Sequence, residues 1–167
     1  VAALETAILS KIEVVSITLS QDDNPYRIFE SLNGKGMPLT QADLLRNYFF
    51  MRLPQSELES IYSNLWEPMQ RKLHKELNNF LRDFLVKDGT FVRSGDVYLA
   101  WKGRLDRVPE EKVYEVLKTL RRFADYYVHF ISPAEESNSE MRRRLLRLKR
   151  WGGTTAYPFL LNLCNAI

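Results

Sequence analysis

From Leu58 onward the apolar residues recur in steps of three and four. They fall at Ile61, Leu65, Trp66 and Met69, then at Leu73, Leu77, Phe80, Leu81 and Phe84. That spacing puts them on one side of a helix and predicts a buried helical face. Pro68 interrupts the run, so a kink or a fresh helix start is expected there. Lys87-Asp88-Gly89 supplies a stop. A second helix is predicted from about 109 to 131, with Val113, Val116, Leu117, Leu120, Phe123 and Tyr127 on one side and Ser132-Pro133 as its end. A third runs from roughly 134 to 151 and is closed by Gly152-Gly153. Thr154 and Thr155 are candidate caps for a last helix through 157–167, with Pro158 in its first turn.

One stretch departs from this period. KIEVVSITLS, residues 11–20, is β-branched and uninterrupted, and reads as a strand over 12–20. A lone strand leaves its backbone donors and acceptors unpaired. Only GDVYLAW, residues 95–101, offers a weak second candidate. The expectation is that the partner strands lie upstream, in a region of which residues 1–20 are a remnant helix and strand. Pairing with a second copy through the strand edge, giving a homodimer, is the alternative.

Residues 21–167 are expected to form the helical domain. Asn24-Pro25 starts a helix that buries Ile28, Phe29 and Leu32 and stops at Asn33-Gly34. Thr40, with Asp43 three residues on, starts the next through a capping box, and Leu44, Leu45, Tyr48 and Phe49 point to a core. Between the two helices lies Gly34-Lys35-Gly36. Free N–H groups at the second helix start, and glycines beside Lys35, are what a phosphate needs. The spacing is not that of a P-loop, however. On the residues alone a plain turn is the simpler reading.

The composition is that of an ordinary globular domain: 167 residues, 45% hydrophobic, 27% charged, net charge +3. No run is long and apolar enough for a membrane span, and no signal-peptide pattern opens the chain. The chain begins with Val, which suggests an excised fragment. The single cysteine, Cys164, rules out an internal disulfide and suits a reducing, cytoplasmic setting. With two distant histidines, His74 and His129, it gives no metal-ligand cluster in sequence. The basic residues are uneven, and RRRLLRLKR at 142–150 holds six of them.

The block NPYRIFESLNGKGMPLTQADLLRNYFF, residues 24–50, carries Phe29-x-x-x-Asn33-x-x-Gly36-x-x-Leu39-Thr40-x-x-Asp43-Leu44-x-x-Asn47. It resembles the signature of the domain of unknown function found at the N-terminal end of GmrSD-type, modification-dependent (type IV) restriction enzymes. LWEPM, LNNFLRDFL, FADYY and AYPFLLNL are similar to the helical part of that family. Such proteins pair a ParB/sulfiredoxin-like catalytic region, marked by an Asp-Gly-Gln-Gln-Arg motif, with this helical part, and many continue into an HNH nuclease domain. No Asp-Gly-Gln-Gln-Arg motif occurs here, and neither histidine has HNH surroundings. The resemblance therefore implies a helical portion that is not catalytic by itself. Its partners would be an upstream ParB-like region, a downstream HNH domain and DNA. Nucleoside triphosphate and divalent metal would belong to the parent, an NTP-dependent endonuclease. It also makes Asn33, Lys35, Gly36, Asn47 and Arg46 candidates to complete a nucleotide site.

The basic helix is the candidate for DNA contact. Met141, Leu145 and Leu148 form an apolar stripe, while Arg143, Arg147 and Arg150 line another face and would track a phosphate backbone. Arg121-Arg122 would extend that patch if the helices pack together. A solvated charged face is the bland alternative. Trp66, Trp101, Trp151, Tyr126 and Tyr127 are read as core, with Trp101 partly exposed. The expected fold is a mainly α bundle of six to eight helices with one N-terminal strand. Two functional readings lead: support of a nucleotide-dependent region with DNA contact, or a protein–protein scaffold; a third, an enzyme with its own pocket, would need a cleft lined by polar groups with perturbed titration. Burial of the arginine face would favour the second.

Overall fold

The computed structural model describes Ser10, Lys11 and residues 39–164. Both the predicted strand over 12–20 and the joint holding Asn33, Lys35 and Gly36 lie outside the described residues. Within them the chain is helical and contains no strand. Eight α-helices are present among these residues, in the mainly α arrangement expected.

α1, Gln41–Met51, begins with the expected capping box: the Thr40 hydroxyl accepts from the Asp43 N–H at 3.2 Å, and Asp43 Oδ2 accepts from the Thr40 N–H at 3.2 Å. It is buried almost all round. Leu45 and Phe49 are fully enclosed, and Ala42, Asn47, Tyr48 and Phe50 are buried with them. Leu44, expected in the core, is only half-buried.

The next helical run does not simply kink at Pro68. α2, Leu58–Ile61, passes into a π-helical stretch, Tyr62–Trp66, where the Glu67 N–H reaches back to the Tyr62 carbonyl. α3, Glu67–Leu73, follows with Pro68 in its first turn. The wider turn precedes the proline, whose ring would crowd a regular helix there. The decisive break comes at His74, with φ 46° and ψ −121°, ahead of α4, Leu77–Val86. Stepwise periodicity continues across it, from Leu73 to Leu77, which is why the pattern alone reads as one face.

α5, Val97–Leu105, replaces the weak strand expected at 95–101. Val97, Trp101 and Leu105 recur every fourth residue and are 0–1% exposed. That is a helical stripe, and it outweighs the β-propensity of the valine and tyrosine. Trp101 is correspondingly buried rather than partly exposed. It stacks on Phe84 with ring centroids 5.4 Å apart, and its indole N–H donates to the Leu81 carbonyl at 3.0 Å.

α6, Glu110–Ile131, is the axis of the domain. Val113, Leu117, Leu120, Phe123, Ala124 and Tyr127 form its buried stripe and meet α3, α4 and α8, Tyr157–Leu163. Phe84 packs edge-on to Phe123 at 5.1 Å, and Tyr127 packs edge-on to Tyr157 at 5.5 Å. Each such side chain, fully removed from water, contributes about 1.5–3 kcal/mol. α8 starts after a 3-10 turn at Thr154–Ala156, without a threonine side-chain cap.

Two polar ties cross the bundle. Arg52, just past α1, donates to the carbonyls of Leu105 at 2.5 Å and Val108 at 2.8 Å, so it ties α1 to the end of α5 and the turn that follows it. Beside it the Tyr48 hydroxyl donates to Asp106, and burial together with that carboxylate pushes the phenol up to about 12. Deeper in, the Tyr127 hydroxyl donates to Asp83 at 2.9 Å. Burial outweighs that hydrogen bond and raises the Asp83 carboxyl above its usual range.

Candidate nucleic-acid interface

α7, Ser139–Arg150, is built from its cap outward. The Asn138 side chain accepts from the N–H groups of Glu140 and Met141, both at 3.0 Å, and Glu136 accepts from the Asn138 N–H at 2.8 Å. That backbone bond, with smaller help from nearby His129, holds the Glu136 carboxyl low. Leu145 is buried against the bundle and Leu148 half-buried, whereas Met141 is 50% exposed. Lys149 Nζ donates to the Ile131 carbonyl at 2.6 Å, fixing the helix to the end of α6.

The opposite face carries Arg143, Arg147 and Arg150. All three are exposed, and none makes a hydrogen bond or ion pair among the described residues. With Ser139, Arg142 and Leu146 they surround a shallow surface groove of about 290 Å³. No carboxylate lines it. α7 holds six Lys and Arg residues against Glu140 alone, and Glu140 is already paired with Arg144 at 2.5 Å. Part of this charge is explained locally, because Arg147, Lys149 and Arg150 sit in the last turn, where the helix dipole favours cations. The dipole does not account for Arg143, near the start of the helix. Chemically, the face offers forked donors to a repeating anion.

Arg121 and Arg122 do not join this row. Arg121 is paired with Asp125 at 2.5 Å, and Lys72 reaches the same carboxyl at 2.8 Å. Burial works to raise the Asp125 carboxyl, but the two cations and their hydrogen bonds win and lower it. Arg122 lies over the Phe123 ring at 5.6 Å. Along α6 it is about 13 Å short of Ile131, where α7 is tied.

The nucleotide candidates within the described residues are not gathered at one cleft. Arg46 is half-buried and paired with Asp43 at 3.5 Å. Asn47 is 4% exposed, and its Nδ2 has no partner among the described residues. Neither lines the 250 Å³ cleft beside the α1 start, which is formed by Thr40, Asp43, Trp66, Gln70, His74, Lys75 and Asn78, among others. The first-turn amides there are taken: Ala42 N–H donates to Asn78 Oδ1 at 2.9 Å, and Asp43 N–H to Thr40. Among the described residues no group of three metal-ligating side chains converges, and no helix is long and apolar enough to cross a membrane.

Two features escaped the sequence reading. Asp83 lies on the buried face of α4, and its position one turn from Phe80 was the available signal. Trp151 is 85% exposed, and nothing in its spacing distinguishes it from core. No protein-family model matches the chain, and neither a curated protein nor a solved structure matches it significantly.

Proposed function

We propose that this domain contacts DNA through α7, whose arginine face lies along the phosphate backbone. In this reading it is the non-catalytic helical part of a GmrSD-like, modification-dependent restriction or phage-defence protein of the bacterial cytoplasm. It supports a nucleotide-dependent region elsewhere in the parent. Nucleoside triphosphate and divalent metal would belong to that region. The observation that carries the DNA reading is the joint exposure of Arg143, Arg147 and Arg150 around a groove without a carboxylate. Three guanidinium groups held together unpaired repel one another unless an anion joins them. The test is fluorescence anisotropy with labelled duplex DNA at low salt. The wild-type chain is expected to bind, and the R143A/R147A/R150A variant, folded by circular dichroism, to lose binding. Equal binding by the two would sink the proposal.

The scaffold or homodimer reading draws support from α8. Phe159 and Leu163, one turn apart, are 64% and 52% exposed. Sedimentation velocity separates the readings: self-association abolished by F159E, with no DNA binding, would favour the scaffold.

A further inference from the structure

Trp151 follows Arg150 directly and stands one turn beyond Arg147, 85% exposed, while Trp66 and Trp101 are 1% and 0% exposed. A solvated indole forgoes the burial that usually retains a tryptophan. Yet its backbone is fixed. The Trp151 N–H donates to the carbonyls of Arg147 and Leu148, both at 3.2 Å, and the Gly152 N–H donates to Lys149 at 3.1 Å. Gly152 has φ +67°, and the Gly153 N–H closes back on Leu148 at 3.2 Å. This is the left-handed helix end that glycine permits. At Gly153 a Cβ would lie 2.6 Å from Leu148 Cδ1, so the corner is packed tightly on the helix. Trp151 is the C-cap residue of α7, so its side chain leaves the backbone one turn beyond Arg147.

A solvated indole on a fixed backbone, one turn from guanidinium groups that have no partner among the described residues, combines the two parts that grip single strands. One is a cationic track for the backbone, the other a π-face on which a base stacks. A closed duplex presents phosphates to the same arginines, but its bases are stacked on one another. We propose that α7 holds an unpaired DNA strand, with one base stacked on Trp151 and adjoining phosphates on Arg143, Arg147 and Arg150. This deepens the phosphate-contact reading above and rests on it. The excess of six cations over Glu140 alone on α7 selects a polyanion over an apolar protein partner.

The full 167-residue chain is titrated with a short oligothymidylate and with a short duplex, following tryptophan emission and anisotropy. The single strand is expected to quench the emission and the duplex to leave it largely unchanged. W151A is expected to lose about tenfold or more in affinity for the single strand, the value of one stacked base, and to keep its duplex affinity. W151F, which retains a π-face, is expected to keep most of the single-strand affinity. Undiminished single-strand binding by W151A, or an equal loss for both nucleic acids, overturns the stacking proposal. The R143A/R147A/R150A variant separates the two levels. Should it bind both nucleic acids like wild type, the phosphate reading falls and this proposal with it. Should it lose binding while W151A has no effect, only the stacking falls.

Discussion

Removing the three arginines of α7 has a calculable effect on salt dependence. Arg143 and Arg150 are seven residues apart on one face, about 10 Å along the axis. Phosphates of one duplex strand advance about 3.4 Å each along the helix axis, so the row meets about three of them. Each phosphate neutralised adds about −0.9 to the slope of log K against log salt, and the triple alanine variant should be shallower by about 2.7. Raising salt from about 50 to about 200 mM would then weaken wild type about forty-fold more than the variant. Single variants should each remove about a third of the difference. R121A is the control: Arg121 is committed to Asp125, so its loss should lower stability and leave the slope alone. The assay is anisotropy of one labelled duplex over a salt series at constant pH. Parallel slopes for wild type and triple variant would refute the argument, whatever their absolute affinities.

Asp83 should make stability pH-dependent in an unusual direction. Its carboxyl is raised in the folded state, so the native protein binds more protons than the unfolded chain between the ordinary aspartate range and the raised value. Its stabilising contribution is therefore full below the unfolded pKa and is lost as pH rises through the folded one. D83N, which can still accept from Tyr127, should gain on wild type from pH 4 to pH 7 in urea melts; a constant difference would remove Asp83 from the account. Asn47→Leu should stabilise by about 1 kcal/mol, because it removes a buried donor without a partner among the described residues; a loss of similar size in the same melts would mean the amide is satisfied. Gly152→Ala should cost about 1–2 kcal/mol in thermal melts. The cost is backbone strain at φ +67°, since nothing lies within 4 Å of the added methyl; an unchanged melting temperature would contradict it.

What the sequence made legible was mostly local. Val113 to Tyr127 announces α6, and Thr40 with Asp43 announces the start of α1, because each signal is complete within a few residues. The joint exposure of Arg143, Arg147 and Arg150 followed from helical spacing once Leu145 and Leu148 were assigned inward. The failures needed knowledge of neighbours. His74 breaks the chain without a glycine or proline to mark it, so tertiary packing has overridden an unbroken period. Trp101 and Trp151 exchanged their expected environments because an indole carries the same pattern value in either place. Only Phe49 and Phe84 around the first, and the Gly152 corner beside the second, distinguish them.

Arg52 bears on the order in which the chain folds. Its guanidinium holds the Leu105 carbonyl at the end of α5 and the Val108 carbonyl just beyond it from a position more than fifty residues earlier in the chain. The last carbonyls of α5 are closed locally by the N–H groups of Asp106, Arg107 and Val108, but the tie to α1 forms only once α1 has arrived, and the loop between them must be closed before the contact repays it. The end of α5 is then expected to mature late, after the docking of α1, so loss of the Arg52 side chain should chiefly speed unfolding. The two helices are then expected to behave as one kinetic unit, although the sequence presents them as separate segments.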